Sequence, residues 1–314
     1  MDLQPVLMPC PGAAFGPVEP RPGLRRGEAR IGALLGRVPP AGLILLSIVS
    51  VQLGSAFATV LFADLGPGGT TLATTGFATL MLALMSRPRL DRRLRRHAGL
   101  TLLFGIALVA MLLPFFLALQ TIPLGIASTV AFLGPLALAV AASRRPAHFL
   151  WCGVAVLGLL LLTPEIGTDL DPWGLGLAAL AALGWAAFVP LSKRAGQVFD
   201  SGSGLTLGMA VATLLLLPYA LMEGTILAAT ALQVGAATLV ALLATVFPMA
   251  LEFAALQRMP ARTYGILLTL EPAAAAVVGA IFLGQGLGGR MLLAIACVTV
   301  AALGVTVFEK RGAR

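Results

Sequence analysis

The sequence predicts an all-α integral membrane protein of ten transmembrane helices, arranged as two inverted repeats of five. Three observations carry this: an apolar composition, apolar runs of spanning length, and a motif that recurs at a fixed offset. Of the 314 residues 59% are hydrophobic and 11% charged, whereas a soluble domain is about 45–50% apolar and about 25% charged. Mean hydropathy is +0.98. So little polar side chain does not cover a soluble globule of this size. The apolar residues fall in runs of roughly 20, the length a helix needs to cross about 30 Å of hydrocarbon. None has the alternation of a barrel strand of about ten residues.

Along the chain, residues 1–38 are rich in Pro, Gly and Arg without apolar periodicity, which suits a disordered cytoplasmic tail. No apolar stretch of about 7–15 residues stands there, so a cleaved signal peptide is not expected. Apolar runs between charged or Pro/Gly-rich breaks then give spans near 40–62, 69–86, 98–119, 122–142 and 149–165, and near 173–192, 203–222, 232–257, 262–284 and 289–308. The first repeat covers 39–166, the second 172–309, and 310–314 is a cytoplasmic tail.

Orientation follows from Lys and Arg, because positive loops near helix ends stay in the cytoplasm. Basic residues cluster at Arg21–Arg37, Arg87–Arg96, Arg144 and Arg145, Lys193 and Arg194, Arg258 and Arg262, and Lys310–Arg314, all on one side of the expected topology. Of the 21, Arg290 alone lies opposite, with Asp64, Glu165, Asp169, Asp171 and Glu223. Both termini are thus expected in the cytoplasm. The net charge of +8 serves topology, and nucleic-acid binding is not expected. Cys10, Cys152 and Cys297 are too scattered for a metal site or a disulfide framework.

Residues 118–140 (ALQTIPLGIASTVAFLGPLALAV) match 255–277 (ALQRMPARTYGILLTLEPAAAAV) at an offset of 137, pairing Gln120 with Gln257, Pro123 with Pro260 and Pro135 with Pro272. Five spans per copy make the second copy enter the membrane in the opposite sense. Inverted repeats place substrate near the midplane and reach it from alternate sides by rocking.

A charge inside a span costs about 2.5–3.5 kcal/mol or more, so an intramembrane carboxylate is a functional candidate. Glu271 lies nine residues beyond Arg262, about 13 Å into the membrane; a neutral structural role is the alternative. Glu252 is six residues from Arg258, close enough to snorkel or pair with a loop arginine. Pro272 and Pro135 remove helical donors to the carbonyls of Leu268 and Ala131, which points to paired kinks flanking a cavity, or to packing alone. Gln52, Ser55 and Thr59 share one face of the first span, where interhelical hydrogen bonding is the simpler account. Trp185 sits deeper than the interfacial belt, lining a cavity or filling core. The chain has no phosphate loop, no metal-ligand cluster and no Ser/His/Asp set at one depth; no cofactor or metal is implied, and an intramembrane enzyme is disfavoured.

The segments VQLGSAFATVLF (51–62), ALQTIPLGIA (118–127), FLGPLALAVAASRRP (132–146), GWAAF (184–188), FPMALEFAALQRMPARTYGILLTLEP (247–272) and IFLGQ (281–285) resemble the drug/metabolite transporter superfamily. Within it they are most similar to the EamA branch and its inner-membrane threonine/homoserine exporters. The resemblance implies ten helices in two inverted units and proton-coupled amino-acid export across the inner membrane. Glu252, Glu271, Gln120, Pro123, Gly134, Pro135, Pro260 and Pro272 match its markers. Ala131 stands where the pattern has a Glu, Thr59 and Thr74 where it has basic residues, and Gln285 where it has a closing Glu. Cations and carboxylates are lost together, which keeps buried charge balanced and leaves the substrate open. An uncoupled facilitator or drug exporter would show flux that ignores a pH gradient. A structural or sensory membrane protein would show no flux.

Overall fold

The computed structural model describes residues 38–86, 88, 92–141, 150–151, 153–154, 157–158, 161, 171–199, 203–256, 267–268, 270–286 and 288–311. Among these every regular element is helical and there is no strand. The amino-terminal tail, most of the fifth expected span and the stretch containing Pro260 lie outside them.

Helix α1, Pro40–Ser86, has 47 residues, about 70 Å if straight and over twice the hydrocarbon thickness. Gly66 breaks it at φ 66° and ψ 169°, a conformation that a Cβ opposes. Pro67 follows at the start of a new helical arm, where its missing N–H is no loss. The two arms match the expected spans 40–62 and 69–86.

One basic turn, α2 (Arg92–Arg96), leads to α3 (Ala98–Ala118) and α4 (Leu124–Ala141). Helix α5, Pro172–Val198, starts where the Asp171 carboxylate accepts from the backbone N–H groups of Trp173 and Gly174 at 3.1 and 3.2 Å, satisfying two orphan donors of the first turn. After α6 (Ser203–Glu223), a Thr230–Gln233 capping box opens α7 (Ala231–Ala241). A π turn, Leu242–Val246, joins α7 to α8 (Phe247–Leu256), and α9 (Glu271–Leu283) and α10 (Gly289–Arg311) complete the chain. Among the described residues five stretches are long and apolar enough to cross a membrane: Pro40–Ser86, Ala98–Ala118, Pro172–Val198, Ser203–Glu223 and Ala231–Met249.

The surface is dressed for lipid. Leu84, Leu183 and Ile281 are each 69% exposed, while Ser47, Gln52, Thr70, Thr71 and Thr129 are at most 1% exposed. Water would favour the reverse; in hydrocarbon, polar groups turn inward to find partners.

Packing partners exchange between the halves. The segment LGSAFATVL (53–61) on α1 matches LGWAAFVPL (183–191) on α5 at Leu, Gly, Ala and Leu, offset by 130. Each helix uses the shared glycine to approach a neighbour. A Cβ on Gly54 would lie 2.7 Å from the Ala244 nitrogen in the π turn, and one on Gly184 would lie 2.5 Å from the Ala110 carbonyl carbon on α3. The second arm of α1 and α6 share Ala-Thr-Leu (78–80 and 212–214). There Thr79 and Thr213 meet hydroxyl to hydroxyl at 3.1 Å, as a residue near a two-fold axis meets its own counterpart.

Candidate functional site

A cavity of about 590 Å³ lies between the two halves, within the usual range of about 300–1,000 Å³ for small-molecule sites. Its wall is built from both arms of α1, α3, α4, α5, the π turn, α8 and the start of α9. Along α5 the lining runs from Ala181 to Ser192, about 16 Å of helix rise, so the cavity reaches deep into the bundle.

Glu271, Glu252, Gln52, Ser55 and Trp185 all line it, together with Pro135. Glu271 is the first residue of α9. Beside it Gln52, 1% exposed, donates from Nε2 to the Glu271 carbonyl oxygen at 3.4 Å. That carbonyl can only accept, which orients the amide and leaves Gln52 Oε1 buried without a hydrogen-bond partner. Glu252 accepts at Oε1 from the Ser47 hydroxyl at 2.7 Å. Among the described residues the lining holds these two carboxylates and no basic side chain. Trp185 serves both roles foreseen for it: it lines the cavity and meets Phe132 edge-on, with ring centroids 6.1 Å apart.

Several candidates fall elsewhere. Thr59 lies on the cavity-facing stripe of α1 but beyond the cavity, and its hydroxyl donates to the Ala56 carbonyl oxygen at 2.7 Å. Gln120 is exposed in the turn after α3, and Pro123 stands just before α4. Neither lines the cavity; Gln-x-x-Pro marks a turn, because proline suits the entrance of a helix. The two prolines are placed differently: Pro135 lies within α4, whereas Pro272 is in the first turn of α9, shortly after the helical residues Leu267 and Leu268. Ala131, whose carbonyl Pro135 deprives of a helical donor, does line the cavity. Pro260 falls outside the described residues.

Sequence reasoning missed a threonine stripe. Thr71, Thr74 and Thr75 on the second arm of α1 line the cavity, and their hydroxyls donate back to the carbonyls of Pro67, Thr70 and Thr71 at 2.6–2.8 Å. Their oxygens keep acceptor capacity for a guest. The i, i+3, i+4 spacing was the available signal. Ser128, 5% exposed, also lines the cavity and has no hydrogen-bond partner for its Oγ. Ser47, now the partner of Glu252, had no distinguishing pattern.

The EamA-like transporter family model matches residues 172–307. The chain is 38% identical over 281 residues to the threonine/homoserine exporter RhtA of Salmonella typhimurium (strain LT2), spanning 87% of this chain and 92% of that protein. It is 38% identical over 277 residues to RhtA of Escherichia coli (strain K12), with the same coverage. A protein crystal structure shares its fold at TM-score 0.59 and 22% identity, over 86% of this chain and 98% of that one.

Proposed function

The chain belongs to the EamA-like transporter family of the drug/metabolite transporter superfamily, and from that premise we propose that it is a proton-coupled exporter of an amino acid or related small metabolite. It is a multi-pass membrane protein and not an enzyme. The observation that carries the proposal is the pair of carboxylates, Glu271 and Glu252, on the wall of one cavity between the halves.

Glu271 is the working group in this reading. Its carboxylate takes a substrate ammonium while the cavity opens to the cytoplasm. A proton from the other side then competes for the same oxygens and sends the substrate out. Such competition requires no further cofactor, because a ligand shifts the two access states by its differential affinity for them. Gln52 holds the α9 entrance against α1, and Glu252, braced by Ser47, is the second acidic stop on the way. The rocking units are the repeats 39–166 and 172–309, set in the inner membrane with both termini in the cytoplasm. A carboxy-terminal reporter that is active only in the cytoplasm tests that orientation.

Counterflow into proteoliposomes with a radiolabelled amino-acid panel, including threonine and homoserine, tests the function. Uptake of one amino acid that strengthens under an outward proton gradient is the expected result, because the proton leaves the vesicle as the amino acid enters. Exchange indifferent to the gradient would identify a facilitator, and no exchange from folded protein would take the substrate out of the amino acids.

A further inference from the structure

Helix α6 ends in Glu223, at the end of the bundle away from Arg92–Arg96, and its carboxylate grips the Gly66 break in α1. Oε1 accepts from the Gly68 N–H at 3.3 Å and Oε2 from the Gly69 N–H at 3.0 Å. These N–H groups belong to the first turn of the second arm of α1, where a helix has no acceptors of its own and its dipole favours a negative charge. On the other side of the break, the Thr225 hydroxyl donates to the Leu65 carbonyl oxygen at 2.5 Å. The Tyr219 ring packs so tightly that a Cβ on Gly68 would lie 2.5 Å from it. Both flanks of the break are therefore held by α6 and the turn that follows it.

The grip joins the two halves of the chain, since α1 belongs to the first and α6 to the second. It also bears on the cavity. Thr71 and Thr75, one and two turns further along the same arm, are part of the lining. At the other end of this helix pair Ser86 and Thr206 meet hydroxyl to hydroxyl, a neutral contact, at 2.9 Å. A carboxylate taking two N–H groups is the stronger of the two joints.

Resting on the transport reading above, we propose that Glu223 is the gate residue at this end of the cavity, acting by positioning the second arm of α1. The clamp is closed in this structure. Its release frees Gly68 and Gly69, lets the arm swing at Gly66, and opens the wall that carries Thr71 and Thr75. No part of the Glu271 site has to move first.

The test reads accessibility. In full-length protein with Cys10, Cys152 and Cys297 changed to Ser, Thr75→Cys is labelled by a membrane-impermeant maleimide from the Glu223 side. Slow labelling is expected with Glu223 in place, and labelling about tenfold faster with Glu223→Gln, the order expected for losing a charge-assisted hydrogen bond. The amide offers one acceptor oxygen and turns an NH₂ toward the second glycine N–H. Thr225→Val, a milder change, should move labelling the same way by less. Hydrogen exchange at the Gly68 and Gly69 amides should quicken in Glu223→Gln. Equal labelling in all three proteins, with unchanged exchange at those amides, overturns the gate. Neither readout uses a substrate, so clamp-dependent labelling without any flux would count against the transport reading alone. Flux with clamp-independent labelling would count against the gate alone.

Discussion

Where α1 crosses α9, Gln52 meets Glu271; where α5 crosses α4, Ala182 meets Gly134. By the offsets of 130 and 137 these are the same crossing in the two halves. The contents differ completely. At the first crossing a buried amide holds the carbonyl of a cavity-lining glutamate at 3.4 Å. At the second, a Cβ on Gly134 would collide with the Ala182 carbonyl oxygen, so the backbones touch and nothing polar fits between them. Of two equivalent crossings between the halves, one carries the polar chemistry and the other carries rigidity. Close small-residue packing is the main source of helix adhesion in lipid, where no hydrophobic force drives helices together.

The sharpest way to break that comparison is at its polar member. Glu271→Gln should lower gradient-driven flux by about 10–150-fold, the range for losing a hydrogen bond to a charged group, and should abolish the response to an outward proton gradient; flux assays with and without the gradient read both. An unchanged variant would mean the polar crossing is only structural. The packed member comes next. Gly134→Ala should destabilise the protein by about 1–3 kcal/mol through overpacking, seen as a lower midpoint in thermal unfolding in detergent. Gln52→Leu removes the donor to Glu271 and the orphaned Oε1 together. Its unfolding midpoint should therefore stay close to the parent's, while apparent substrate affinity weakens by about fivefold, the equivalent of one neutral hydrogen bond. Smallest of all is Thr59→Val: its hydroxyl serves its own helix outside the cavity, and both flux and stability should match the parent. A large loss there would extend the polar crossing along α1 beyond what the cavity lining marks.

How far the site was legible varied with the residue. Glu271 and Glu252 were legible because a carboxylate in a span is costly wherever the helix packs. Gln52 and Ser55 were legible from spacing, and Thr59 shows the limit of spacing. Seven residues separate it from Gln52, nearly two full turns, so it returns to the same face but about 10 Å further along the axis. Spacing reports direction around a helix and says nothing of where a cavity ends. Pro272 shows a second limit, since one residue type either bends a helix or begins one. Which occurs at Glu271 depends on the chain before it, not on the proline itself. The clamp of Glu223 on Gly68 and Gly69 was not legible at all, because its partners lie over 150 residues apart.

The solvent, the helical class and the length of the spans were determined by the sequence by itself. Each follows from local composition against a bilayer of fixed thickness, and none needs a neighbour to be named. The EamA resemblance was likewise legible, since it rests on linear motifs. Tertiary structure decided which of two equivalent crossings became polar, which glutamate was braced by which serine, and which glycines were gripped across the halves. Those outcomes depend on side chains meeting across helices distant in sequence. In lipid such meetings are set by close packing and by the need of every buried polar group for a partner, and neither is written in any one helix.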